Sequence, residues 1–375
     1  MFCLGARHFG VSEEVRRKSE LPALSLSLSN DTLLRDLVEF PSSIVVCDCG
    51  QKLQRWVGKL ILSISAANHG LARLRAENDL LQKAIKQEKS ASGGFSFFGG
   101  RGEKYEKAVE MYRAAANAYR VKLTSIDDPE VTSLAIQQGG SALEAAARIC
   151  TENLEEPLDA VNIYNEAFKL YHEVQPEKAA TMLEMAIGKQ KQLGRWRPAA
   201  TNTETLATHY QQVLGNNAKA IEAYKDTLKC YKQDPAPALE NKITLALSDL
   251  QALESDYSSA IDGYESAADK AQNNNLLAWN IKNYLFQAGI CHLATGDMVA
   301  TSRAFDEYRS KHAQFTSTRE FQLLNDLKEA VESGDQDVFA DRLFQFDQMQ
   351  KLNKWQTTVL LRIKEKIESQ DEDFS

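Results

Sequence analysis

The sequence predicts an all-α protein, an elongated α-solenoid of helix hairpins followed by a compact C-terminal group of helices. Three observations predict it: a scarcity of helix breakers, a pattern of small and aromatic residues that returns about every forty positions, and turn residues between the periodic stretches. Only 8 of 375 residues are proline, and none follows Pro237. Ala, Leu, Glu, Lys and Gln, which lose least on entering a helix, are abundant. With 43% apolar and 26% charged residues the chain is globular rather than disordered.

Residues 1–70 read differently from the rest. They mix helix-poor stretches such as Leu21 to Ser29 with Pro41 and an apolar segment from Val57 to Ala67 that is too short to span a bilayer. The basic cluster Arg16, Arg17, Lys18 is not followed by a clean apolar core with a cleavage site, so no secretory pattern is present. This segment is read as an appended extension, disordered or an artefact of gene prediction. Helices are expected from about Ala72 onwards.

Between Ala160 and Ala267 the pattern is Ala, a residue four later that is usually Tyr, and a small residue three beyond. It occurs as Ala160/Tyr164/Ala167, Ala220/Tyr224/Thr227 and Ala260/Tyr264/Ala267, with a weaker copy at Ala179/Leu183/Ala186. Steps of three and four place such residues on one helix face. The copies beginning at Ala179, Ala220 and Ala260 stand 41 and 40 residues apart, and Ala300 is read as continuing the series. Each interval holds two helical stretches, for example Ala218 to Gln233 and Asn241 to Glu254, and helix pairs repeated at this period stack into a solenoid. Gly194, Gly215, Asp234-Pro235, Ser255-Asp256, Asn273 to Asn275 and Gly296-Asp297 punctuate the stretches. The repeat fades after Ala313, and the expected C-terminal helices are Thr318 to Ser333, Asp337 to Met349 and Trp355 to Glu368. Trp355, Val359, Ile363 and Ile367 form one apolar stripe, read as core.

Chemistry-bearing motifs are missing from the sequence. There is no phosphate-cradling GxxxxGK[ST] loop, no GxGxxG after a strand, no HExxH and no GxSxG. The six histidines have no Cys or Asp partner at useful spacing, and His209 and His292 read as packing or surface residues. Cys150, Cys230 and Cys291 lie singly in helical patterns, as small buried thiols do. Cys47 and Cys49 lack a second pair at zinc-site spacing. No catalysis, metal or cofactor is expected. The net charge of −8 argues against general nucleic-acid binding.

Three separated segments carry a family resemblance. The first is Gly93-Gly94-Phe95-Ser96-Phe97-Phe98-Gly99-Gly100 with the following amphipathic stretch Tyr105 to Arg120. The second is Lys282 to Phe286 running into Gly289 to His292. The third, and most specific, is Leu352 to Lys364, reading LNKWQTTVLLRIK, with the acidic end Asp371, Glu372, Asp373, Phe374, Ser375. Together they resemble the soluble NSF attachment protein family, of its alpha and beta type, over about residues 75–375.

The resemblance implies a tetratricopeptide-like solenoid over 71–315 with a membrane loop at 93–100, a C-terminal helical bundle over 316–368 and an acidic tail at 369–375. It implies a cytoplasmic adaptor, peripherally associated with membranes, that binds syntaxin-type SNARE four-helix bundles and recruits the hexameric AAA ATPase N-ethylmaleimide-sensitive factor (NSF) for their disassembly. Phe95, Phe97 and Phe98 would insert into the membrane, with Lys86, Lys89, Arg101 and Lys104 attracting anionic lipid. Arg195, Lys242, Lys282 and Arg319 would face the acidic bundle. Asp371, Glu372, Asp373 and Phe374 would meet the ATPase. Two departures from the family pattern stand out: Thr201 replaces a lysine, and Phe374 a leucine. The rival reading is a generic tetratricopeptide-like scaffold for other partners, which explains the repeats but not the three segments together.

Overall fold

Helix starts in this chain are set by residues that tolerate or satisfy an unpaired backbone N–H. Pro129, Pro157, Pro176 and Pro237 stand at first helical positions, where the missing N–H costs nothing. Elsewhere a side chain caps the end: Asp128 accepts from Glu130 N and Val131 N, Asn216 from Lys219 N, Asp297 from Ala300 N, Thr318 from Phe321 N and Asp335 from Val338 N. Ends are set by left-handed residues, Gly296 at φ +84° and Gly334 at φ +70°.

The computed structural model describes residues 72–93, 100–272 and 278–373, all within one unit that runs from Ala67 to Ser375. Residues 1–70 and the Asn273 to Asn275 turn lie outside the described residues. Among the described residues the α-helices are α1 (Arg75–Ser92), α2 (Gly100–Leu123), α3 (Pro129–Glu152), α4 (Pro157–Tyr171), α5 (Pro176–Gln192), α6 (Trp196–Gln212), α7 (Asn217–Gln233) and α8 (Pro237–Leu253). They continue as α9 (Tyr257–Gln272), α10 (Ile281–Thr295), α11 (Met298–Lys311), the single turn α12 (Ala313–Thr316), α13 (Arg319–Ser333), α14 (Gln336–Met349) and α15 (Lys354–Asp373). No strand occurs among the described residues. From α1 to α10 each helix packs on the next through a short connection, which is the hairpin stacking expected of a solenoid.

The repeat pattern is the core. Ala160, Ala179, Ala220 and Ala260 are fully buried, and their partners Tyr164, Leu183, Tyr224 and Tyr264 and the small residues that follow are buried too. Each of these alanines is the fourth residue of its helix. Ala199 holds the same place in α6 and is equally buried, so the register runs unbroken from α4 to α7 and returns in α9. In α11 the expected Ala300 is only half-buried, and Thr301, Phe305 and Tyr308 fill the buried positions instead. The cause is the cap: Asp297 makes Met298 the first residue, which moves the fourth position to Thr301.

Buried tyrosines must place a hydroxyl as well as a ring. Tyr112 Oη donates to Glu88 Oε2 at 2.5 Å, Tyr210 to Glu184 Oε1 at 2.6 Å, Tyr264 to Asp249 Oδ1 at 2.5 Å and Tyr308 to Glu265 Oε1 at 2.5 Å. Tyr171 donates to Glu144 in the same way. Burial, reinforced by the adjacent carboxylate, raises the phenol pKa in each case, so the proton stays and the donor role is fixed.

The last helix is attached differently. Val359, Leu360, Ile363 and Ile367 of α15 are buried, which makes the expected stripe core, and polar donors fix its position. Trp355 Nε1 donates to Asp249 O at 2.9 Å, Arg362 Nη1 to Leu253 O at 2.8 Å and Lys366 Nζ to Ala294 O at 2.6 Å. Leu253 and Ala294 stand among the last four residues of α8 and α10, where carbonyls lack i+4 helical partners, and Asp249 is one residue earlier in α8. The helix runs on through Asp373, so the backbone of Asp371, Glu372 and Asp373 belongs to its last turn and not to a separate tail. No Gly or Pro interrupts the chain beyond Lys354, and nothing stops the helix at Glu368.

Candidate partner-binding face

Antiparallel neighbours make alternate helices run the same way, so α6, α8 and α10 present their N-terminal halves in one direction. Arg195 is the N-cap residue of α6, Lys242 lies in the second turn of α8, Lys282 is the second residue of α10 and Arg319 the first of α13. Side-chain bonds link these helices in a row. Lys242 Nζ reaches Glu204 Oε1 of α6 at 2.6 Å, Asn241 Nδ2 donates to Tyr284 Oη of α10 at 3.5 Å, and Lys282 Nζ reaches Glu320 Oε1 of α13 at 2.9 Å. Arg197, beside Arg195, donates to Asp234 Oδ1 and Pro235 O, both at 2.8 Å, just before α8. The four cations therefore lie on α6, α8, α10 and α13, each linked to the next by a side-chain bond.

Their environments differ. Arg195 and Arg319 are exposed and make no ion pair with the described residues. Lys242 is 66% exposed and its pair with Glu204 raises its pKa. The side chain of Glu320 is only 4% exposed, while that of Lys282 is 34% exposed. Burial alone would raise the pKa of Glu320, but the bond and charge of Lys282, with a backbone hydrogen bond and Gln350, outweigh it and hold this carboxyl below its ordinary value. Glu204 and Glu320 are the residues that sequence reasoning missed. Neither stands near its lysine in sequence, and only the helix stacking joins them.

Thr201, where the family pattern has lysine, is exposed and donates its hydroxyl to Arg197 O at 3.3 Å. It lines a cleft of about 400 Å³ with Phe168, His172, Glu204 and His209. His209 is buried and its Nε2 donates to Pro176 O at 2.8 Å, a packing role. Cys150, Cys230 and Cys291 are buried thiols, and burial pushes Cys150 up to about 11.

The other two expected sites are described in part. Phe95, Phe97, Phe98 and Phe374 lie outside the described residues. At the base of the first loop, Arg101 Nε donates to Ala91 O and its Nη2 to Ser92 O, both at 3.3 Å, so this guanidinium ties the start of α2 to the end of α1. No helix among the described residues is long and apolar enough to cross a membrane.

The stacked hairpins, the side-chain-linked row of cations and the separately docked last helix define an α-solenoid repeat protein built to present surfaces. The chain belongs to the soluble NSF attachment protein family, whose sequence profile matches residues 75–368. It is 39% identical over 296 residues to a probable vesicular-fusion protein sec17 homolog of Neurospora crassa, an alignment covering 79% of this chain and 98% of that one. It is 32% identical over 298 residues to an alpha-soluble NSF attachment protein of Saccharomyces cerevisiae, with 79% and 98% covered. It is 30% identical over 295 residues to the alpha-soluble NSF attachment protein of Homo sapiens, with 79% and 96% covered.

Proposed function

We propose that this protein is a non-enzymatic adaptor of intracellular membrane fusion that binds SNARE four-helix bundles and recruits and stimulates the NSF ATPase to disassemble them. The observation that carries the reading is the row of Arg195, Lys242, Lys282 and Arg319 on linked helices of one solenoid, in a chain related over nearly the whole length of vesicular-fusion proteins. An acidic helical bundle is the complementary partner for such a row. The ATPase would meet the far end, at Asp371, Glu372, Asp373 and Phe374. Phe95, Phe97 and Phe98 would add peripheral attachment to membranes, raising local concentration without contacting the bundle.

The test is a disassembly assay with soluble bundles, NSF and ATP. The full chain should bind the bundle, recruit NSF and support disassembly. Reversing Lys242 and Lys282 together should weaken bundle binding, with the loss shrinking as salt rises. A full chain that binds neither bundle nor NSF, or a double reversal with an unchanged dissociation constant and unchanged helicity, overturns this reading.

A further inference from the structure

Two positive charges on the last helix are held without a counter-charge. Arg362 and Lys366 of α15 donate to backbone oxygens, Leu253 O at 2.8 Å and Ala294 O at 2.6 Å, and neither forms an ion pair among the described residues. A carbonyl orients a cation but does not neutralise it. Both side chains open on a cleft of about 570 Å³ where α8 and α10 end and α9 begins, lined also by Ser255, Tyr257, Thr295 and Ser369. Arg362 Nη1 lies 3.4 Å from Ser255 Oγ, and Lys366 Nζ lies 5.7 Å from the centre of the Tyr257 ring. The neighbouring carboxylates are engaged: Glu254 accepts from Asn217 Nδ2 at 2.7 Å, Asp256 from Ser259 N at 3.3 Å and Glu368 from Gln336 Nε2 at 3.0 Å. Glu365 is the one acid on the cleft wall among the described residues, so two cations against one carboxylate leave the cleft positive.

Ser369 shares the face of these cations, because positions 362, 366 and 369 follow one another by four and three residues along α15. It is exposed, and its hydroxyl donates to Lys366 O at 3.0 Å. In sequence it is followed by Gln370, Asp371, Glu372 and Asp373. Carboxylates two and three residues after a serine are what the basic substrate groove of an acidic-directed serine kinase selects. Opening the last turns of a terminal helix for such a groove costs little. We propose that Ser369 is a phosphorylation site and that Lys366 and Arg362 receive its phosphate, clamping α15 to the start of α9 and the end of α10. The step transfers the γ-phosphoryl group of ATP to Ser369 Oγ. The Oγ–P bond forms, the bond from that phosphorus to the bridging oxygen of ADP breaks, and the hydroxyl proton goes to the kinase's base. The product carries about −1.5 to −2 charges at neutral pH and three acceptor oxygens, enough to engage an ammonium and a guanidinium together. A phosphate towards the C-terminal end of a helix is unfavourable by itself, so the two cations decide whether the modification tightens or loosens the cap.

The experiment treats the full chain, Ser369→Ala and Lys366→Met with an acidic-directed serine kinase and ATP, and maps the phosphate by mass spectrometry. Phosphorus NMR and hydrogen exchange then follow the modified proteins. Wild type and Lys366→Met should take up phosphate on Ser369, and Ser369→Ala should lose that product. In the wild type the phosphoserine should lose its second proton at about pH 5, against about 6 in a phosphorylated peptide of residues 365–375, because adjacent cations favour the dianion. Lys366→Met should move this titration back towards the peptide's value. Amides of α15 should exchange about fivefold more slowly after phosphorylation of the wild type, the gain of a charge-assisted bond less the opposition of the helix end. The slowing should be absent in Lys366→Met. A full chain left unmodified at Ser369, whether or not the peptide is modified, overturns the site. A phosphate on Ser369 that titrates as in the peptide, or that fails to slow exchange of α15, overturns its capture by Lys366 and Arg362.

Discussion

The repeat helices α4 to α9 and the terminal helix α15 are both held by buried apolar faces, but the instructions that position them differ in range. In α4, α5, α7 and α9, a buried alanine at the fourth position and a tyrosine or leucine four later pack the helix on its neighbours in sequence. In α15, Trp355 and Arg362 reach backbone oxygens 106 and 109 residues earlier. A solenoid propagates from neighbour to neighbour. Its cap depends on the repeats already being in place, because the carbonyls it grips are brought together only where α8 and α10 end side by side with α15.

Tyr264 is where the two regimes meet, and its removal should have the largest effect. Its ring is fully buried, lies edge-to-face on Trp355, and its hydroxyl donates to Asp249 Oδ1, whose own pKa is raised by burial. Tyr264→Ala should cost about 3–5 kcal/mol, the range for deleting a large buried ring, and should release α15 as well. Tyr224, at the equivalent place in α7, donates instead to Gln211 of α6 at 3.4 Å. Urea unfolding with hydrogen exchange should show α15 amides deprotected by Tyr264→Ala and not by Tyr224→Ala. Equal protection in both variants would mean that the cap does not depend on the repeat beneath it.

Gly289 tests the seam between the solenoid and the bundle. A methyl group there would sit 2.4 Å from Leu324 Cδ1 of α13, and Leu324 is itself fully buried. Gly289→Ala should cost about 1–3 kcal/mol through overpacking, seen as a lower urea midpoint. An unchanged midpoint would show that Leu324 can yield.

Arg362→Met keeps the length of the side chain and deletes its bonds to Leu253 O and Ala252 O. The expected loss is about 1–2 kcal/mol, with faster exchange confined to α15 and the ends of α8. Global loss of protection would contradict the separation of cap from repeats.

The legibility of these regions follows the same division. The repeat register could be read from Ala160, Ala220 and Ala260 because small and aromatic residues at helical spacing leave a local trace. The shift from Ala300 to Thr301 was hidden, since it depends on which residue caps α11. The stripe from Trp355 to Ile367 was legible as core, but the roles of Arg362 and Lys366 as donors to distant helix ends were not. The cations of the candidate face were recognised by family resemblance, and their carboxylate partners Glu204 and Glu320 required the fold.

The smallest predicted effect compares one ion pair inside the solenoid with one across the seam. Lys242 and Glu204 join two repeat helices in the open, so Lys242→Met should change stability by less than about 1 kcal/mol at any pH. Lys282 of α10 instead neutralises Glu320 of α13, a carboxylate with almost no exposure of its own. Because Lys282 is a third exposed, water screens the pair and the loss in Lys282→Met should stay below that of Arg362→Met. Its pH dependence is the distinguishing mark. The folded pKa of Glu320 lies below that of an unfolded glutamate, about 4.3, so the unfolded chain binds more protons in that interval and stability rises with pH there. The contribution is fully present above the unfolded value and disappears as pH falls through the folded one. In Lys282→Met, burial pushes the carboxyl upward against only the backbone hydrogen bond and Gln350, which flattens the slope. Urea midpoints of the two proteins should therefore converge at low pH and separate to a plateau near neutrality, whereas Lys242→Met should track the wild type throughout. A constant offset from low to neutral pH would mean that Lys282 contributes packing of its methylene stem and not neutralisation of Glu320.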